Sequence, residues 1–430
     1  MEIRDISPEV GRLVADVPLP RMFRARQKFP GGGIESSKIY DEVRTRLKDS
    51  KSAENIQPGM QIAITVGSRG ITNLVQITRA IVDFVKQKGA NPFLVPAMGS
   101  HGGATAEGQA EILAGYGITE DTMGCPVRSS MEVVNIGKNQ EGVDVYIDKN
   151  AWEADGIILN CRIKPHTSFR GTYESGMMKM MAIGLGKQYG AEKCHEAGFE
   201  NMAKNVYLFG KAILEKANIL MAVAVIENVY EETAKVLVVA PEDIEEKEPE
   251  YLQEAFGNMP KILVDSCDVL VVDRIGKNYS GDGMDPNITG TFCTPYATGG
   301  IKAQKVAVLD LSEETHGNAM GIGMASATTR RVFEKMDLSA MYPNAITAGV
   351  LLGVRIPMVM QNDREAIQVC VKSCSRYPGW VPRIVRISNT LQMEHIWLSE
   401  SYWDIAGEIP GLSIESDPEE LHFDESGNLI

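Results

Sequence analysis

The chain has 430 residues, enough for two domains with sizeable cores. It is 44% hydrophobic and 23% charged, ordinary for a globular protein, and a formal net charge of −14 argues against nucleic acid or an anionic membrane surface as partner. No apolar run approaches the roughly 18 residues of a spanning helix, and the start MEIRDISPEV lacks the apolar core of a secretory signal.

The first forty residues read as irregular, with pieces such as KFPGGGIESS. Regular alternation begins at residue 61. QIAITVG is a short apolar strand, and LVQITRAIVDFVKQKGA follows with helical periodicity and a glycine stop at Gly89. PFLVPA is a second strand, GSHGGAT a glycine-rich loop and AEGQAEILAGYG a second helix. DGIILNCRI, ILMAVAVIENV and AKVLVVA are further strands, and FENMAKNVYLFGKAILEKA is a helix. Strands alternating with helices imply a largely parallel sheet with helices on its faces. The acidic stretch PEDIEEKEPEYLQEAFG suits a solvated helix or hinge over 241–257. A second α/β unit starts with CDVLVVDRIGKNYSGDGMDPN and continues through KVAVLDL, a helix over AMGIGMASATTRRVFEKM, AITAGVLLGV, a helix over DREAIQVCVKSCSRY and a last strand, PRIVRIS. The tail after Asn389 keeps Trp397, Tyr402 and Trp403, so part of it packs, while the final acidic dozen residues read as frayed. The expected fold class is α/β, two domains that are each a mostly parallel sheet flanked by helices, with the active site in the inter-domain cleft. The expected division is 1–255 for the N-terminal domain, 256–390 for the C-terminal domain and 391–430 for the tail.

Seven scattered cysteines fit a reducing cytoplasm better than a disulfide framework. Cys370 and Cys374, one helical turn apart, read as helix packing because no partner pair completes a metal site.

In open α/β sheets ligands sit beyond the carboxyl ends of strands, so the loops there carry the functional reading. After QIAITVG comes Arg69, suited to a bidentate pair with a carboxylate or phosphate, or to an incidental surface ion pair. After PFLVPA comes Met98-Gly-Ser-His-Gly-Gly-Ala104. Its glycines let backbone approach a ligand, and Ser100, Gly102 and Gly103 flank His101. It is neither the GxGxxG fingerprint nor a Walker loop, so neither NAD nor ATP follows. After DGIILNCR comes IKPHTSFRG with His166. Between Arg162 and Lys187 lie five basic residues and one acidic residue, Glu174, a local reversal that suits an anionic ligand. His316, in SEETHGNAMGIG, could cap a helix or face the cleft.

SGMMKMMAIGLGKQYGAEKCH sets Lys179 among four methionines, sixteen residues before His195. On one straight helix the two would lie about 24 Å and about 160° apart, from the rise and turn per residue. They could share a site only if the helix breaks between 184 and 190, where Gly184, Gly186 and Gly190 weaken it. The alternative is a continuous helix with Lys179 snorkelling outward.

These residues carry a resemblance. The chain resembles the nickel-dependent lactate racemase family, which inverts C2 of 2-hydroxy acids, through GSHGG, the later His166, the SGMMK lysine and the histidine sixteen residues beyond it. The resemblance implies a nickel-pincer nucleotide covalently attached through Lys179, with His195 as the protein's nickel ligand. It implies His101 and His166 as the acid/base pair, Arg69 holding substrate and Lys277 meeting its carboxylate. It also implies partners: a small 2-hydroxy acid and cofactor-synthesis enzymes, with homo-oligomerisation left open. The chain lacks the family's paired glycines before the lysine and the Pro-Gly after it. It has Gly67-Ser68-Arg69-Gly70 where lactate racemases carry Asp-His-Thr-Arg, which implies a divergent branch acting on a substrate other than lactate.

The chemistry fits such residues. The C2 hydrogen is barely acidic, and removing it as hydride needs an electron sink that side chains lack. Two imidazoles serve as acid and base near neutral pH. Two other readings are a hydrolase or lyase with zinc or iron held by three histidines and Glu192 or Asp273, and a non-catalytic ligand- or cofactor-binding protein.

Overall fold

In the computed structural model the described residues are 8–68 and 70–430. The strands in chain order are β1 (Met22–Gln27), β2 (Gln61–Val66), β3 (Asn91–Pro96), β4 (Val133–Lys138), β5 (Asp144–Asp148), β6 (Gly156–Arg162), β7 (Ile219–Glu227) and β8 (Thr233–Val239). They continue with β9 (Ser266–Ile275), β10 (Lys302–Leu311), β11 (Ala327–Thr329), β12 (Met358–Met360), β13 (Ile384–Ile387), β14 (His395–Ser399) and β15 (Leu412–Ile414).

The chain forms two compact units, residues 31–259 and residues 1–30 with 260–430. In the first, five strands run in the order β3-β2-β6-β7-β8, all parallel except β8. The strands are mostly apolar and buried because both faces are covered. Successive residues supply opposite cores: Ile157 and Leu159 pack on one face, Ile158 on the other. The helices Leu74–Gln87 and Met202–Lys216 lie where the 3.6-residue period marks them. The hairpin β4–β5 adds a small separate sheet that the sequence reading did not mark.

The other unit holds eight strands in the order β12-β11-β10-β9-β13-β14-β1-β15. From β12 to β13 the pairs are parallel, and the remaining pairs are antiparallel. Mostly parallel sheets flanked by helices are thus present in both units.

Several expectations need correction. The first forty residues are not irregular: β1 is a strand of the second unit, and a helix spans Ser36–Asp49. Residues 8–30 fall with residues 260–430 in one unit. The tail supplies β14 and β15 to its sheet, so PRIVRIS is not the last strand. The terminal residues are tied down, since the Leu429 amide donates to Asp363 Oδ2 at 2.9 Å. AMGIGMASATTRRVFEKM is not one helix: Gly321 turns with φ 97°, β-branched Thr328 and Thr329 pair with the sheet as β11, and only Arg330–Lys335 is helical. Cys370 and Cys374 are buried against the sheet as expected of packing residues.

Candidate functional site

β2, β3 and β6 are parallel neighbours, so the loops that follow them leave from one edge of the sheet. The loop after β2 contains Arg69, which lies outside the described residues. Its neighbour Gly67 stands where a Cβ would sit 3.4 Å from the Met180 methyl group.

The loop after β3 carries His101. Gly99, Gly102 and Gly103 all have positive φ. Gly102 must also be glycine because a Cβ there would lie 2.6 Å from the Gln109 amide nitrogen. The glycine richness that suggested a ligand therefore also has a packing cause. Thr105 caps the following helix, Ala106–Gly115, by accepting from the Gly108 amide at 3.0 Å. His101 is exposed, and its Nδ1 lies 2.8 Å from the Met98 carbonyl oxygen. A carbonyl can only accept, so Nδ1 carries the proton and Nε2 keeps the lone pair.

The loop after β6 carries His166 and is built around Glu174, which is 1% exposed. The carboxylate accepts from the His166 amide at 2.6 Å, the Gly171 amide at 3.2 Å and Arg170 Nη1 at 3.3 Å. Desolvation raises the Glu174 pKa, while the His166 amide and Arg170 oppose the rise. The His166 ring stacks on buried Phe169 at 4.3 Å. Its Nδ1 lies 3.1 Å from the Ser168 amide, which can only donate. Neutral His166 therefore has the opposite tautomer from His101, with its proton on Nε2.

Lys179 and His195 sit on a broken helix. Met177–Lys179 is one α-helical turn, Met180–Leu185 winds as π-helix, and Lys187–His195 is α-helix again. At the junction Lys187 has φ 55°, so a straight helix through 195 is ruled out. Gly184 and Gly186 permit the break: Cβ atoms there would lie 2.8 Å from the Ala97 carbonyl and 2.7 Å from the Ala182 carbonyl. The segment lies against the His101 loop, with the Gly99 amide donating to the Gly184 carbonyl at 3.3 Å.

His195 is half-buried and its Nδ1 lies 2.6 Å from the Ala191 carbonyl oxygen, so Nε2 again keeps the lone pair. Burial lowers its pKa, the Ala191 carbonyl opposes this, and the Lys179 charge lowers it further. The Lys179 charge is also felt at Cys194 and at Glu174. His195, Lys179 and the His166 loop thus share one electrostatic neighbourhood.

Two sequence readings change here. Met177, Met178 and Met181 are fully buried in the core, and only Met180 is partly exposed to the loops, so the methionine nest is mostly core. Three of the five basic residues between 162 and 187 are neutralised by ion pairs, two of them with carboxylates outside the segment. Arg162 pairs with Glu227, Arg170 with Glu174 and Lys187 with Asp148.

Sequence reasoning also missed Glu248. It comes from the helix Ile244–Gly257, read as solvated, yet it is 1% exposed. Its Oε2 accepts from the Met178 amide at 2.9 Å and so caps the turn that ends in Lys179. Its Oε1 has no hydrogen-bond partner among the described residues, and a Cβ at Gly176 would collide with the carboxyl. Burial pushes its pKa up to about 8, opposed by the Met178 and Met177 amides.

Lys277 belongs to the other unit. Its amide donates to Thr315 Oγ1 at 3.0 Å and its Nζ to the Gly281 carbonyl at 2.9 Å. Beside its loop a recess of about 410 Å³ opens at the carboxyl ends of β9 and β13, lined by Arg274, Asn278, Tyr279, Glu314, Asn389 and Gln392 among others. His316 is exposed in a left-handed turn of the same unit. Among the described residues, no three His, Cys, Asp or Glu side chains gather as a metal site. No helix among them is long and apolar enough to cross a membrane.

Residues 26–206 match the family model of the lactate racemase N-terminal domain. No curated protein matches the chain. The structure is similar to the crystal structure of a protein from Thermotoga maritima, at 14% identity over 65% of this chain and 72% of that one, with a TM-score of 0.47. It is also similar to the lactate racemase apoprotein from Thermoanaerobacterium thermosaccharolyticum, at 14% identity over 80% of this chain and 90% of that one, with a TM-score of 0.46.

Proposed function

We propose that the chain, whose residues 26–206 match the model of the lactate racemase N-terminal domain, is a racemase or epimerase that inverts C2 of a 2-hydroxy acid. The observation that carries this reading is the helix break at Lys187, which allows His195 to turn back towards Lys179.

The donor chemistry fits a nickel-pincer nucleotide. Lys179 would tether it and His195 Nε2 would ligate the nickel. The Ala191 carbonyl holds the His195 ring by its Nδ1–H, which fixes the tautomer and orientation that a metal-bound imidazole needs. When bound, the group would supply the hydride acceptor that side chains lack. Loading it makes the cofactor-synthesis enzymes partners of this chain.

The protein's own residues handle the proton. His101, with its lone pair on Nε2, takes the proton of the substrate hydroxyl as hydride leaves C2, giving the 2-keto acid. His166 presents Nε2–H on the other flank and donates a hydrogen bond to the substrate oxygen. To deliver a full proton it must first be protonated on Nδ1, which displaces the Ser168 amide contact. Redox chemistry at C2 is what the bound group would supply; His101 or His166 returns the proton to the oxygen, so that the epimer carries as many protons as the substrate. Arg69 and Lys277, each in its own unit, are candidates to pair with the carboxylate, and a cation is needed there to offset the repulsion of an anion by a chain of net charge −14.

The test is a single enantiomer of a 2-hydroxy acid deuterated at C2, incubated in ordinary water with protein co-expressed with cofactor-synthesis enzymes. Inversion with deuterium kept at C2 is the expected result. Inversion with washout of deuterium would overturn hydride transfer, and no inversion of any 2-hydroxy acid in a panel would favour a non-catalytic binding protein.

A further inference from the structure

Lys187 has no accessible surface. A fully buried lysine is rare, and a non-glycine residue in the left-handed region is retained only where its surroundings over-determine it. Three groups do so. Its Nζ donates to the Pro96 carbonyl at 2.7 Å and to Gln109 Oε1 at 2.6 Å, and it lies 3.6 Å from Asp148 Oδ2. Each contact leads to a different element. Pro96 ends β3, at the root of the His101 loop. Gln109, itself fully buried, turns its Nε2 to the Gly99 carbonyl at 2.9 Å and the His101 carbonyl at 3.2 Å. Asp148 ends β5, where its Oδ1 accepts from the Ala151 amide at 2.9 Å. Lys187 is also the first residue of the helix that ends in His195.

We propose that Lys187 is a positioning residue whose buried ammonium, acting through Gln109, fixes the His101 loop relative to the His195 helix. A carboxamide facing an ammonium must present its oxygen, and this forces its NH2 towards the loop carbonyls. Without the ammonium, Gln109 is free to flip and the loop loses both anchors. Burial lowers the Lys187 pKa and raises that of Asp148, and each partner's charge opposes the other's shift, so the pair holds as an ion pair only while both members are present. The inference rests on the proposed function in treating His101 and His195 as working groups, but its test reads their geometry without turnover.

The experiment is histidine-selective 15N labelling of the full chain without cofactor, with signals assigned by single His→Gln variants. The unaltered protein should show His101 and His195 as Nδ1–H tautomers. Gln109→Leu severs the link to the loop but leaves Lys187 with Pro96 and Asp148. It should lose the single Nδ1–H signal of His101 and keep that of His195. Lys187→Met with Asp148→Asn removes both charges together and should disturb both histidines. If Lys187 served only to balance Asp148, this double variant would look unaltered at His101. Unaltered His101 signals in folded Gln109→Leu or in the folded double variant would overturn the proposal. Should the double variant fail to fold, Gln109→Leu alone decides.

Discussion

His101→Ala and His166→Ala are each expected to lower turnover of the loaded protein by roughly 10²–10⁴-fold, the usual contribution of a positioned acid or base. Glutamine at the same positions should separate them. The amide of a glutamine can imitate a neutral imidazole that donates from Nε2, which is the form the Ser168 amide imposes on His166. Its oxygen can accept a hydrogen bond but cannot take up a proton as the Nε2 lone pair that the Met98 carbonyl leaves to His101 can. His166→Gln should therefore retain more activity than His101→Gln. Steady-state rates with one enantiomer of a turned-over 2-hydroxy acid measure this. Equal losses in the two glutamine variants would contradict the assignment of tautomers.

The second large effect is on stability. Glu248 holds a proton in the folded chain, with its pKa pushed up to about 8, while an unfolded glutamate releases it near 4.5. The folded state thus binds more protons than the unfolded state across that window. Stability contributed by this group is complete below about pH 4.5 and is lost as pH rises to about 8. The steepest loss is about 1.4 kcal/mol per pH unit, the limit for a single proton. Glu248→Gln keeps the shape and the oxygen that caps Met178, so it should flatten this dependence and cost little at pH 7. Glu248→Ala removes the cap and leaves a cavity beside the Lys179 turn, and should cost about 2 kcal/mol. Denaturant melts between pH 5 and 8 report both. His195 works in the opposite sense, because its lowered pKa means that the unfolded state binds more protons just below the ordinary histidine value. A slope that is unchanged in Glu248→Gln would show that the carboxyl is ionised in the native chain.

The parallel sheet of residues 31–259 was legible because its strands are short, mostly apolar runs and the helices Leu74–Gln87 and Met202–Lys216 keep a 3.6-residue period. The loops bearing His101 and His166 followed from where those strands end. The break before His195 was legible as a condition, from three glycines in seven residues. What stayed hidden depends on contacts between residues distant in sequence. β1 reads MFRARQ, with three charged or polar side chains, and becomes a strand only by pairing with β14 and β15. Lys187, Gln109 and Asp148 look like ordinary polar residues on helices and hairpins until the fold buries them together. Glu248 is one of seven acidic residues in a stretch whose charge density suggested solvent, and only the packing of that helix singles it out.

The account stands most directly on Lys179 as a tether. Intact-protein mass spectrometry of the chain co-expressed with cofactor-synthesis enzymes should show a mass increment matching a nickel-pincer nucleotide, and Lys179→Ala should show the bare chain mass. An unmodified mass for the unaltered chain under those conditions, or an increment that persists in Lys179→Ala, would contradict it.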